Sequence, residues 1–167
     1  IDDGVGINEN NDPHVSWNWK AGTAFSNDAS STSVGSIDSA GSVNTTAGVS
    51  IIGYTGTGSA ATVAHGLGVK PSMIFFKNRS RDSAWLVYDK YDGATKFLYL
   101  DVTDAVGTDS GHFNDTEPTS SVFSVGGANG TNYSGDNLIA YCFADVQGYS
   151  KIGSYVGNAS TNGTYVY

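Results

Sequence analysis

The 167-residue sequence predicts an all-β fold, an antiparallel β-sandwich unit of about 100 residues with partial repeats on either side. Three observations carry this expectation. Short apolar or aromatic runs bounded by Gly, Asn, Asp and Ser recur along the whole chain. No window of about 11 residues holds an uninterrupted apolar stripe at helical spacing, because glycine breaks most candidates. Period-two alternation is explicit in Trp17-Asn18-Trp19 and in Lys96-Phe97-Leu98-Tyr99-Leu100, which places every second side chain on one strand face.

Taken in order, strands are expected over residues 15–20, 49–54, 61–64, 72–77, 84–88, 96–100, 121–125, 138–143 and 151–156. The first rests on its paired tryptophans and the second on Val49-Ser50-Ile51-Ile52 between Gly48 and Gly53. Met73-Ile74-Phe75-Phe76 and Trp85-Leu86-Val87-Tyr88 supply the aromatic and β-branched residues that strands favour. Cys142, in Ile139-Ala140-Tyr141-Cys142-Phe143-Ala144, reads as a small buried core residue, and a lone cysteine excludes an intrachain disulfide. Residues 22–47 are rich in Ser, Thr, Gly and Asn, with almost no large apolar side chain beyond Phe25 and Ile37, and read as an exposed insert.

An internal echo organises the chain. Gly48-Val49-Ser50-Ile51-Ile52-Gly53 matches Gly148-Tyr149-Ser150-Lys151-Ile152-Gly153, and Tyr54-Thr55-Gly56 matches Tyr155-Val156-Gly157 after a one-residue shift. The aromatic strand at 16–21 precedes the first copy as 140–144 precedes the second. The expected division is therefore an N-terminal segment 1–47 with an aromatic strand and a Ser/Thr/Gly-rich loop, a repeat unit 48–147, and 148–167 as the start of a second repeat or an intersubunit strand. A sheet edge left open in this way calls for another chain to cover it. The sequence opens on Ile1 with no signal-peptide pattern, so a processed product or the ordered part of a longer polypeptide is expected.

Composition narrows the function. Gly, Ser, Thr and Asn together account for 71 residues, yet 20 aromatic residues are too many for a chain that does not fold. A formal charge of −8 with eight scattered basic residues argues against nucleic acid and against an anionic membrane. The apolar runs are too short for a membrane-spanning helix, which needs about 20 residues, so no membrane insertion is expected.

Candidate chemistry is thin. Gly53-Tyr54-Thr55-Gly56-Thr57-Gly58 lacks the Lys-Ser/Thr pair and the helix of a phosphate loop and reads as a turn. His65, in Ala64-His65-Gly66-Leu67-Gly68, reads as turn architecture, and His14 and His112 have no zinc-ligand spacing. Asp2, Asp3, Asn8, Glu9, Asn10, Asn11 and Asp12, or Asp101, Asp104, Asp109 and Asp115, offer oxygens for calcium without EF-hand order, so no metal site is assigned. Asp82, Asp89, Asp92 and Asp101 are the carboxylates from which a glycosidase pair would be drawn, but nothing in the linear sequence pairs them. No nucleophile elbow occurs, and Cys142 lies in an apolar strand, so no catalytic residue and no cofactor is expected. The ligand-binding candidates are aromatics near polar loops, Tyr88, Tyr91, Tyr133 and Tyr149, with Tyr155 beside them, whose rings suit stacking on sugars.

The runs Ser16-Trp17-Asn18-Trp19-Lys20, Tyr54-Thr55-Gly56-Thr57-Gly58, His65-Gly66-Leu67-Gly68-Val69-Lys70-Pro71, Met73-Ile74-Phe75-Phe76-Lys77-Asn78-Arg79, Trp85-Leu86-Val87-Tyr88 and Tyr133-Ser134-Gly135-Asp136-Asn137-Leu138-Ile139-Ala140-Tyr141, continuing through Gly157-Asn158, resemble a repeat-containing, tail-fibre-like domain of marine bacteriophage virion proteins. The resemblance covers nearly all of the chain beyond residue 14. It implies a non-enzymatic structural role on the virion surface, in a tail fibre or other appendage used in host attachment. It also implies partners: copies of the chain itself as a homotrimer, other virion proteins, and a host-surface glycan or protein met by the loops 22–47 and 126–136. The alternatives are a carbohydrate-binding β-sandwich module, a capsid decoration or fibre protein, and a glycan-degrading tailspike.

Overall fold

The computed structural model describes residues 13, 16, 18–20 and 22–164. Its strands are β1 (Thr23–Asn27), β2 (Ser39–Asn44), β3 (Val49–Thr55), β4 (Ala61–Ala64), β5 (Met73–Asn78), β6 (Leu86–Asp89), β7 (Lys96–Tyr99), β8 (Gly107–Thr108), β9 (Val122–Val125) and β10 (Asn137–Phe143), with single-turn helices α1 (Ala29–Thr32) and α2 (Ser110–Phe113). The all-β reading holds. Eight strands form one antiparallel sheet in the order β1-β2-β3-β10-β5-β6-β7-β8, and β4 pairs with β9 as a separate ribbon.

The core lies between the sheet and the ribbon. Alternation along β10 turns Leu138, Ala140 and Cys142 inward, in register with Tyr54, Ile52 and Ser50 of β3 and with Asn78, Phe76 and Ile74 of β5. Phe123 of β9 packs edge-on against Tyr54 and Phe76, with ring centroids at 5.9 and 5.3 Å, bridging above the small inward residues of β10. Phe113 of α2 closes on Phe76 and Tyr88 at 5.4 and 5.8 Å. Each of these fully buried side chains stabilises the fold by about 1.5–3 kcal/mol.

Two expectations about the chain change here. Residues 22–47 are not a loop: β1, α1 and β2 extend the sheet beyond β3. Their inward positions escaped the apolar pattern because they are polar and internally satisfied. Asn27 donates to the Val34 carbonyl at 2.9 Å and accepts from the Thr32 hydroxyl at 2.8 Å, while Ser39 donates to the Ala64 carbonyl at 3.0 Å. Residues 151–156 form no strand and lie on the surface. The echo survives only at its opening turn, where Gly48 (φ +67°) and Gly148 (φ +76°) share the left-handed conformation that favours glycine. Of the strand expected at 15–20, residues 15 and 17 lie outside the described residues, and Asn18, Trp19 and Lys20 are irregular.

Candidate functional site

The sheet is apolar on both faces. Strand alternation that buries Leu138, Ala140 and Cys142 turns Ile139, Tyr141 and Phe143 outward, in register with Gly53, Ile51 and Val49 on one side and Lys77, Phe75 and Met73 on the other. Val87 and Leu98 continue this outer face across β6 and β7, and Trp85 lies 5.9 Å from Tyr141 with Lys77 over its ring. At one end Trp19 and Phe75 tilt against Phe143 at 5.4 and 5.3 Å. There Trp19, Met73, Phe75, Phe143, Tyr149 and Ile152 line an apolar cavity of about 210 Å³. Most of these outward side chains are half-exposed, and Trp19 (48%) and Leu100 (57%) are more exposed still.

The opposite end of the sheet is a polar lock. Asn132, fully buried, accepts from the Thr57 backbone N–H at 2.8 Å and donates to the carbonyls of Ser59 and Gly126 at 2.6 and 2.7 Å. Tyr54 donates its hydroxyl to the Thr131 carbonyl at 2.5 Å, and Asn78 donates to the Asn129 carbonyl and the Asp136 carboxylate at 2.7 and 2.6 Å. Arg81 grips Asp136 through Nε and, at 2.9 Å, through Nη2, and holds its carboxyl below the usual carboxylate range. Its guanidinium also stacks 3.7 Å from the Tyr133 ring centroid. The loop 126–136, expected as an exposed recognition surface, is thus largely folded inward, with Thr131, Asn132 and Asp136 all buried.

The other titratable groups in the interior serve the architecture. His65 follows β4, accepts from the Leu67 N–H at 3.2 Å and meets the Thr119 carbonyl at 3.3 Å, and burial drives its pKa down to about 4. This is the turn role expected for it. Burial pushes the Cys142 thiol up to about 12, and Cys142 is fully buried as expected.

The predicted aromatic site does not assemble. Tyr88 is not exposed but fully buried, because its place on β6 faces the core, and its hydroxyl donates to Glu117 at 2.6 Å. Tyr91, Tyr133 and Tyr149 are exposed at 53%, 40% and 64%. Tyr91 and Tyr149 lie at the β5 N-terminal end, where Tyr91 donates to the Ile152 carbonyl at 3.2 Å. Tyr133 belongs to the polar lock beyond the other end of that strand, about 17–20 Å away, with one ring face taken by Arg81.

The carboxylates are likewise committed to local structure. Asp89 accepts from the N–H groups of Tyr91 and Asp92, Asp92 pairs with Lys96, and Asp101 accepts from the Trp85 N–H. Asp109 caps α2. Among the described residues no three acidic, His or Cys side chains converge as a metal site; the 2–12 cluster lies outside them. A polar trough of about 470 Å³ is lined by Asp28, Asp38 and Arg79, but Asp28 and Asp38 are engaged at the N-terminus of α1. No described helix is long and apolar enough to cross a membrane.

Sequence reasoning missed the outer face because each strand was read for one buried side. The signal was present in Ile51-Ile52 and Phe75-Phe76, adjacent large apolar residues that alternation must send to opposite faces.

No curated protein and no solved structure matches the chain. A family model described as a domain of unknown function, DUF7483, matches residues 2–167, and the chain belongs to that family.

Proposed function

We propose that this DUF7483 domain is a non-enzymatic structural module of a bacteriophage virion, part of a tail fibre or comparable surface appendage, which assembles with copies of itself and serves host-surface attachment. One observation carries the reading. The polar residues in the motifs that resemble virion proteins are used inside the molecule. The Gly56 and Gly58 N–H groups bond to the Asp136 and Asn132 carbonyls, His65 spans its turn, and Asn78 is tied to Asp136. Motifs spent on architecture suit a building block better than a reaction cavity, whose polar groups converge on open space.

The test is immunoelectron microscopy of purified phage particles with antibody raised against the chain. Label on a tail or capsid appendage is the expected result. Particles that carry no label, with all of the chain free in the lysate, overturn the proposal.

A further inference from the structure

An antiparallel sheet with water on one side alternates apolar-in with polar-out. This sheet does not. Ile51, Phe75, Trp85, Leu98, Ile139 and Tyr141 turn away from the core across five adjacent strands, and Trp19 overlies only the Phe143 end. Together with the exposed parts of Trp19 and Leu100, these side chains present about 600 Å² of apolar surface, at the upper limit of what a monomer leaves in water. With its polar rim the patch approaches the roughly 800 Å² per partner of a standard interface.

Charge selects the occupant. Copies of a chain with formal charge −8 repel one another over most of their surface. Lys77, Arg79 and Lys96 extend from the outer face and Lys20 and Lys90 from its rim, so five of the eight basic residues gather where the surface is most apolar. This is the surface on which two copies meet with least repulsion. A sugar platform fits less well, since Trp19 and Phe75 are tilted 56° and 58° against Phe143 rather than lying in one plane.

We propose that a second copy of this chain docks on the outer face of the eight-stranded sheet, sheet against sheet, with Phe75, Tyr141 and Ile139 at the centre of the contact. Side chains of the two outer faces interdigitate across a layer about 10 Å thick, as in aligned sheet packing. The inference rests on the reading of the domain as a self-assembling module and names the surface that does the assembling.

The experiment is sedimentation velocity of the full 167-residue chain up to about 100 µM, alongside the double variant Ile139→Lys, Tyr141→Lys. The expected result is a concentration-dependent oligomer that the variant weakens at least about 100-fold while keeping the near-ultraviolet circular dichroism of the parent. A parent chain that stays monomeric overturns the proposal, as does a folded variant that associates undiminished. If the variant unfolds, hydroxyl-radical footprinting of the parent decides instead: Trp85 and Tyr141 become protected with concentration if the proposal holds, and unchanged reactivity in the oligomer overturns it. A parent oligomer built on another surface, or a monomer that still labels particles, removes this interface alone. Absence of the chain from particles removes the reading beneath it.

Discussion

Asn132 gives the sharpest test of the polar lock. Replacing it with Ala deletes the acceptor for the Thr57 N–H and the donor for the Ser59 and Gly126 carbonyls, at a position with no solvent exposure. A neutral hydrogen bond contributes about 1 kcal/mol net, and somewhat more when its partner is left buried and unpaired. Three such losses amount to about 3–4 kcal/mol, a large share of the 5–15 kcal/mol typical of a domain. Urea unfolding followed by intrinsic fluorescence should show that loss as a lower midpoint with an unchanged slope, and melting should fall by about 10 °C. Asn132→Asp retains the acceptor toward Thr57 but sets a carboxylate against two carbonyls, so it should cost at least as much. A loss below about 1 kcal/mol in both variants would refute the reasoning and leave the loop held by its backbone bonds alone.

Two further outcomes follow from the turn after β4. His65 is held neutral, with a folded pKa near 4 against an unfolded value of 6.5, so its contribution is complete above pH 6.5 and is lost as pH falls from there through 4. The loss should reach about 3 kcal/mol, and the difference in urea midpoints between parent and His65→Gln should shrink across that window; a constant difference would contradict the assignment. Gly66 has φ +72°, and a Cβ placed there would lie 2.7 Å from the Phe25 ring and 2.8 Å from Val43. Gly66→Ala should therefore destabilise by at least about 2 kcal/mol in the same assay, and a neutral result would mean that β1 shifts freely over the turn.

The apolar strands were legible because their side chains obey a simple rule. The expected strands at 49–54, 61–64, 72–77 and 138–143 fall within a residue of β3, β4, β5 and β10. β1 and β2 were hidden because Asn27 and Ser39 fill inward positions with hydrogen bonds instead of hydrocarbon, and periodicity reads hydrocarbon only. The segment 151–156 misled for the converse reason: it carries the strand's residues without any neighbour to pair with. The His65 turn could be read from its flanking glycines. The polar lock could not, since Asn78, Arg81, Asn132 and Asp136 meet only after two distant stretches of chain are brought together. Tyr88 shows the limit of judging exposure from sequence, because an aromatic beside a polar loop is placed by strand phase, not by its neighbours in the chain.

The position of β10 has a consequence for how the molecule comes into being. It is the last strand in the chain and sits between β3 and β5, so the two halves of the sheet share no ladder until residues 137–143 exist. During synthesis at about 5–20 residues per second, β5 waits several seconds with one edge open, and β3 waits longer. The same late strand delivers Ile139, Tyr141 and Phe143 to the outer face. A ribosome-bound chain therefore holds neither a closed core nor a complete sticky surface, and both arrive in one stroke, which keeps nascent copies apart until each can fold alone.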